Sequence, residues 1–197
     1  MKLLTIFCAG IALGMAQPSA AENKEGVDAS TMITMFTDAC VKNTERPKGT
    51  GDYVALNPFL VLDNPQMLKT LVGDGPRGRA WIAHSPGAHH SFVVTLHSTA
   101  PTCAVWAESV DVAGMESVFR RVVEAVAQPG VTVTLEKEKV VNTPTGVGKA
   151  LTYRVDYASR NRTYVFALEV ADKTGSLRDG IPLQASVQLT TTPTVSE

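Results

Sequence analysis

Three of the four histidines in this chain stand between positions 84 and 90, in the stretch His84-Ser85-Pro86-Gly87-Ala88-His89-His90. Clustered imidazoles suggest two chemistries. Histidine is the commonest metal ligand, so His84, His89 and His90 could hold zinc or copper. A histidine beside serines could also serve as the base of a nucleophilic pair. Neither chemistry finds all its parts here. If residues 86–90 form a hairpin loop, Ser85 faces Ser91 and His84 faces Phe92. His97 is then five residues along a strand, roughly 16 Å away at about 3.3 Å per residue. No Asp or Glu lies between Arg79 and His97 to complete a ligand set. Strand alternation sends Ser85 to the face opposite His84, and the chain has no Gly-x-Ser-x-Gly elbow. The expectation is an exposed hairpin tip and no resident cofactor, with zinc or copper held by His84, His89 and His90 as the alternative.

Two other features carry chemistry. Cys8 lies in the N-terminal apolar run, which leaves Cys40 and Cys103, 63 positions apart, as the thiols of the mature chain. In an oxidising compartment a disulfide is the default for such a pair. Trp81 and Trp106 fall in neighbouring strand patterns. Trp106 has parity opposite to Cys103 and Val105, so it is a possible binding surface unless a loop such as 44–64 covers it.

The compartment follows from the first residues. Lys2 precedes an uncharged run from Leu3 to Ala16, and Ser19-Ala20-Ala21 precede Glu22. That is the layout of a secretory signal peptide cleaved after Ala21. The run is too short to span a bilayer as a helix. The expected mature protein is residues 22–197, one domain, periplasmic or secreted, with 22–28 and 190–197 loose. Removing residues 1–21 takes away Lys2, so 17 basic residues stand against 19 acidic ones. Near-neutrality provides no footprint for nucleic acid and no basic patch for an anionic membrane. The partner is unknown and could be an envelope or secreted protein.

These residues must be positioned by the surrounding elements. Met32, Ile33, Phe36, Ala39 and Cys40 recur at helical spacing, and a helix there should fail by Asn43. Pro65–Val72 reads as a short helix with Pro in its first turn and Gly73 at its end. Arg79–Ser85, Ser91–His97 and Thr102–Val110 read as strands. Asp111 opens the clearest helix, carrying Met115, Val118, Phe119, Val122, Val123 and Val126, and Pro129-Gly130 stops it. Four alternating strands then begin near Val131, Leu151, Tyr164 and Ile181, each expected to be wet on one face. Thr143–Ala150 has a superficial likeness to a phosphate loop but lacks its first Gly and final Ser or Thr, and reads as a connecting loop. The expected fold is α+β, a curved antiparallel sheet of about seven strands with two or three helices on one face. No internal repeat is visible.

"MFTDACV" at 35–41, "GPRGRAWIAHSPG" at 75–87 and "PTCAVWAESVD" at 101–111 together resemble a family of exported bacterial proteins and lipoproteins. In that family a Cys ends the first helix, a Gly-x-Ala-Trp stretch opens a hairpin and a Cys-x-Val strand precedes an amphipathic helix. Here these are Cys40, then Gly78, Ala80 and Trp81, then Cys103 and Val105. The likeness covers roughly residues 30–127, and a lipoprotein cysteine is missing. It implies export and brings no known activity with it. The expected role is therefore a non-enzymatic accessory or binding protein, with a metal-binding protein as the alternative.

Overall fold

A computed structural model describes residues 28–43, 49–74, 78–84, 91–96, 102–144, 146–159, 162–172, 177, 181 and 183–193. Helix α1 spans Ala29–Ala39, and the Asp28 carboxylate caps it by accepting from the Ser30 N–H. A 3₁₀ turn at Val41–Asn43 follows, then α2 at Gly49–Ala55 and strand β1 at Phe59–Val61. Helix α3, Pro65–Val72, has Asn64 as its cap, accepting from Gln66 and Met67 N–H at 3.0 and 3.1 Å. Gly73, at φ 79°, ends it in a conformation that favours glycine. Strands β2 (Arg79–His84), β3 (Ser91–Leu96) and β4 (Thr102–Ala107) come next, followed by α4 (Val112–Glu124). The chain then runs through β5 (Val131–Thr143), β6 (Gly146–Tyr157), β7 (Arg162–Ala171) and β8 (Ala185–Pro193).

All eight strands form one antiparallel sheet in the order β1-β2-β3-β4-β8-β7-β6-β5. The α+β class and antiparallel sheet agree with expectation, with one more strand than foreseen. The order has a simple logic. Four strands meander outward-in from β1 to β4. Helix α4 then carries the chain to the far edge, and four more meander back from β5 to β8. The two meanders meet where β4 pairs with β8, and their leading helices α1 and α4 pack against each other. A repeated layout thus underlies a sequence with no visible repeat.

The expectation that the helices cover one face is corrected. Strand alternation divides the core in two. Trp81, Val94, Cys103, Val105, Phe166 and Val187 lie under α1 and α4. Ala80, Ala104 and Trp106 lie on the other face, under Leu71 and Val72 of α3 and beside Leu62, Leu177, Ile181 and Leu183. Both faces of β4 are therefore buried along all six residues, where one wet face was expected. Trp106 is corrected with it. It is 1% exposed, and its indole N–H donates to Thr95 Oγ1 at 3.1 Å, so it offers no binding surface.

The hairpin register also differs by one residue. His84 pairs with Ser91 and Ala83 with Phe92, so Trp81 stands opposite Val94. Partners across an antiparallel pair share a face. This register puts the large Trp81 into the main core with Val94 and leaves small Ala80 beneath α3, which the slipped register would reverse. Gly78 belongs to the same arrangement: a Cβ built there would run into Val72 of α3, 2.9 Å from that residue's Cβ. The expected connecting loop at Thr143–Ala150 is corrected too: Thr143 ends β5 and residues 146–150 lie in β6.

Candidate functional site

The site grows outward from the disulfide. Cys40, which follows α1, is bonded to Cys103 in β4, with 5.5 Å between their Cα atoms. The bond fixes the end of α1 to the sheet, and the chain leaves it toward α2. Thr50 Oγ1 donates to the Ala39 carbonyl at 2.8 Å, tying α2 to the same point. Val54 anchors α2 in the core. Beyond α2, Asn57 Nδ2 donates to the Tyr53 carbonyl at 2.7 Å and turns the chain into β1. There Phe59 stacks obliquely on Tyr53, ring centroids 5.9 Å apart.

A cleft of about 450 Å³ is left between α2 and the end of the sheet. That volume falls in the ordinary range for ligand sites. Trp81 and Leu96 line it from β2 and β3, Val54 from α2, and Phe59 and Val61 from β1. Trp81 is only 8% exposed, so the indole is part of the core as well as of the cleft. Asp52 and Arg79, both exposed, add one charge of each sign. Val61, one of the large apolar side chains most open to water at 72% exposed, stands in this lining. Apolar surface gathered around a concavity is the ordinary mark of a contact site.

A second cluster lies across the sheet. Glu116 and Arg120 of α4, Glu138 of β5 and Lys149 of β6 form a ring of alternating charge. Arg120 reaches Glu116 at 2.9 Å and Glu138 at 2.8 Å, and Lys149 reaches the same two carboxylates at 2.8 and 2.7 Å. Arg120 Nη1 also donates to the Tyr153 hydroxyl at 2.8 Å. The Lys149 hydrogen bonds, with those from Arg120, hold both carboxyls below their ordinary values, and the carboxylates in turn raise Lys149 and Arg120. Every charge is matched, so the ring fastens α4 to the β5–β6 hairpin and has no charge left for a substrate.

No protein-family model, curated protein or solved structure matches this chain.

The sequence-predicted residues are distributed as follows. Cys40 and Cys103 come together as expected. His84 occupies the last position of β2, while His89 and His90 lie outside the described residues, as does His97. Among the described residues no three His, Cys, Asp or Glu side chains form a group able to hold a metal. No described helix is long and apolar enough to cross a membrane. The cleft residues Asp52, Val54 and Val61 escaped sequence reasoning. Residues 44–64 look irregular because Gly49 and Gly51 are poor helix formers and α2 is a single short helix of 7 residues. The available signal was the apolar patch Phe59–Leu62, an unusual feature in a stretch otherwise rich in turn residues.

Proposed function

We propose that this is an exported, non-enzymatic accessory or binding protein of the periplasm or extracellular space, and that the cleft beside Trp81 is where it binds. The carrying observation is that Val61, 72% exposed, lines an apolar cleft with Phe59 and Trp81 in a scaffold stapled by Cys40–Cys103. Leaving such side chains in water forgoes roughly 25 cal/mol for each Å² that could be buried, a cost recovered when a partner covers them. The disulfide supports export, since such bonds persist in oxidising compartments. In this reading no cofactor resides in the protein, and the pattern of Cys40, Gly78-x-Ala80-Trp81 and Cys103-x-Val105 belongs to exported proteins of this build. Cys40 and Cys103 form the staple, Gly78 and Ala80 make room for α3, and Trp81 lines the cleft.

Two measurements test the proposal. Expression of the full chain in a Gram-negative host should yield periplasmic protein beginning at Glu22, and an unprocessed cytoplasmic product would remove the export half. Titration with anilinonaphthalene sulfonate should give saturable binding to the folded, oxidised protein that Gly51→Leu abolishes by filling the cleft. Identical binding by the variant would remove the cleft as the site.

A further inference from the structure

The two edges of the sheet are built differently. β5 carries Glu136, Lys137, Glu138 and Lys139 and is broken by a bulge between Leu135 and Lys137. Charges and bulges are the devices by which proteins keep an edge strand from pairing with another chain. β1, at the opposite edge, consists of Phe59, Leu60 and Val61 and has no charge.

The backbone of β1 is also open. Leu62 donates its N–H to the Ala80 carbonyl at 2.9 Å, which makes that pair a hydrogen-bonded one. Alternation in an antiparallel ladder then turns the N–H and C=O of Val61 away from β2. Among the described residues no strand lies on that side. Phe59 and Val61 meanwhile line the cleft. An open edge beside a pocket for alternate side chains is the combination by which sheets take up extended peptides.

The charges at the cleft narrow the choice. Asp52 and Arg79 make no ion pair among the described residues. A ligand headed by a single anion would gain from Arg79 and lose to Asp52. A segment of polypeptide without net charge meets both without penalty, and its backbone matches Val61.

We infer that the ligand is an extended apolar segment of another polypeptide, which adds as a strand along the outer edge of β1 and sets one side chain into the cleft over Trp81. This rests on the cleft being the binding site. Because β1 has only 3 residues, few main-chain bonds form, and the inserted side chain supplies most of the affinity.

The probe is a fluorescein-labelled octapeptide alternating Val or Phe with Thr, blocked at both ends, measured by anisotropy against the oxidised mature protein. Two further versions are N-methylated at one or the other alternate set of residues, and dodecanoate is a separate ligand. Gly51→Leu fills the cleft at a position where an added Cβ meets nothing within 4 Å. Val61→Pro removes the outward N–H without touching the β1–β2 ladder. Saturable binding of the octapeptide is expected, weakened at least tenfold by Gly51→Leu, by Val61→Pro and by one of the two methylation patterns. Unchanged binding of both methylated peptides overturns strand addition even if a variant fails to fold. Dodecanoate binding that Gly51→Leu abolishes, with no peptide binding, overturns the peptide inference and leaves the cleft as a site. Binding of neither ligand overturns both.

Discussion

Leu96 of β3 and Cys103 of β4 are register partners, so a lining residue of the cleft stands directly across one strand pair from the disulfide. The staple and the site are therefore mechanically one region. α2 is held to the sheet through Cys40 and through Thr50 on the Ala39 carbonyl, and without the bond its position depends on the hydrogen bond and on Val54.

Reduction should consequently weaken stability and binding together. A loop spanning 63 positions is worth roughly 4 kcal/mol in the chain-entropy description. The pair Cys40→Ala and Cys103→Ala should shift the urea midpoint by that order, and octapeptide binding should fall even under conditions where the variant remains folded. Denatured, non-reduced mature protein, which lacks Cys8, should show no titratable thiol. Two thiols would contradict the bond.

Gly78 should tolerate no side chain. Gly78→Val forces Val72 and α3 away from the sheet, at a cost of about 1–3 kcal/mol for overpacking. Val72→Ala should recover part of that loss when combined with Gly78→Val. Additive losses in the double variant would mean that the two residues do not meet.

The charge ring should make the protein acid-sensitive. Glu116 and Glu138 titrate below their ordinary value of 4.5 in the folded chain, chiefly through the Lys149 hydrogen bonds. The folded state thus releases its protons at lower pH than the unfolded state. The ring's contribution is complete above about pH 5 and fades as pH falls through the lowered values. Glu116→Gln should flatten the dependence of melting temperature on pH between 5 and 3, and high salt should have a similar though smaller effect on this half-buried cluster. An unchanged slope would show that other carboxylates govern acid unfolding.

The bulge in β5 should set which residue of that strand joins the ring. Before it, Val133 and Leu135 pair with Val155 and Tyr153. After it, Glu138 pairs with Leu151. The extra residue is what turns Glu138, and not Lys137, toward Arg120 and Lys149. Deleting Glu136 should remove the bulged residue, leave Lys137 opposite Thr152 and Glu138 opposite Leu151, and so keep the ring intact. Glu138→Gln should then lower the melting temperature by a similar amount in wild type and in the deletion, and a loss of its effect in the deletion, read from the double-mutant cycle, would contradict the register.

Much of this was legible in the sequence, for identifiable reasons. α1, α3 and α4 show clear apolar periodicity or clear stops, and Pro65 and Gly73 mark α3 to the residue. The disulfide followed from counting thiols. The hairpin register did not, because Ala80, Trp81, Ile82 and Ala83 are all apolar and either face could have been the inner one. Burial of Trp106 depended on α3 crossing to the second face, a tertiary fact with no local signature. β5 looked shorter than its 13 residues because the bulge breaks its alternation. The cleft was hidden because its residues come from α2, β1, β2 and β3, and two of these elements are too short to carry a periodic pattern.

The seam between β4 and β8 has a kinetic consequence. It joins Thr102 to Thr190, so the centre of the sheet pairs residues almost half the chain apart. Such pairing requires closure of a long loop before any contact rewards it, and topologies of this kind fold slowly. During synthesis the first meander has no neighbour for β4 until residues beyond 184 have left the ribosome. A chain so constructed stays open for longer than one with local contacts, and its central seam closes only once both meanders are present.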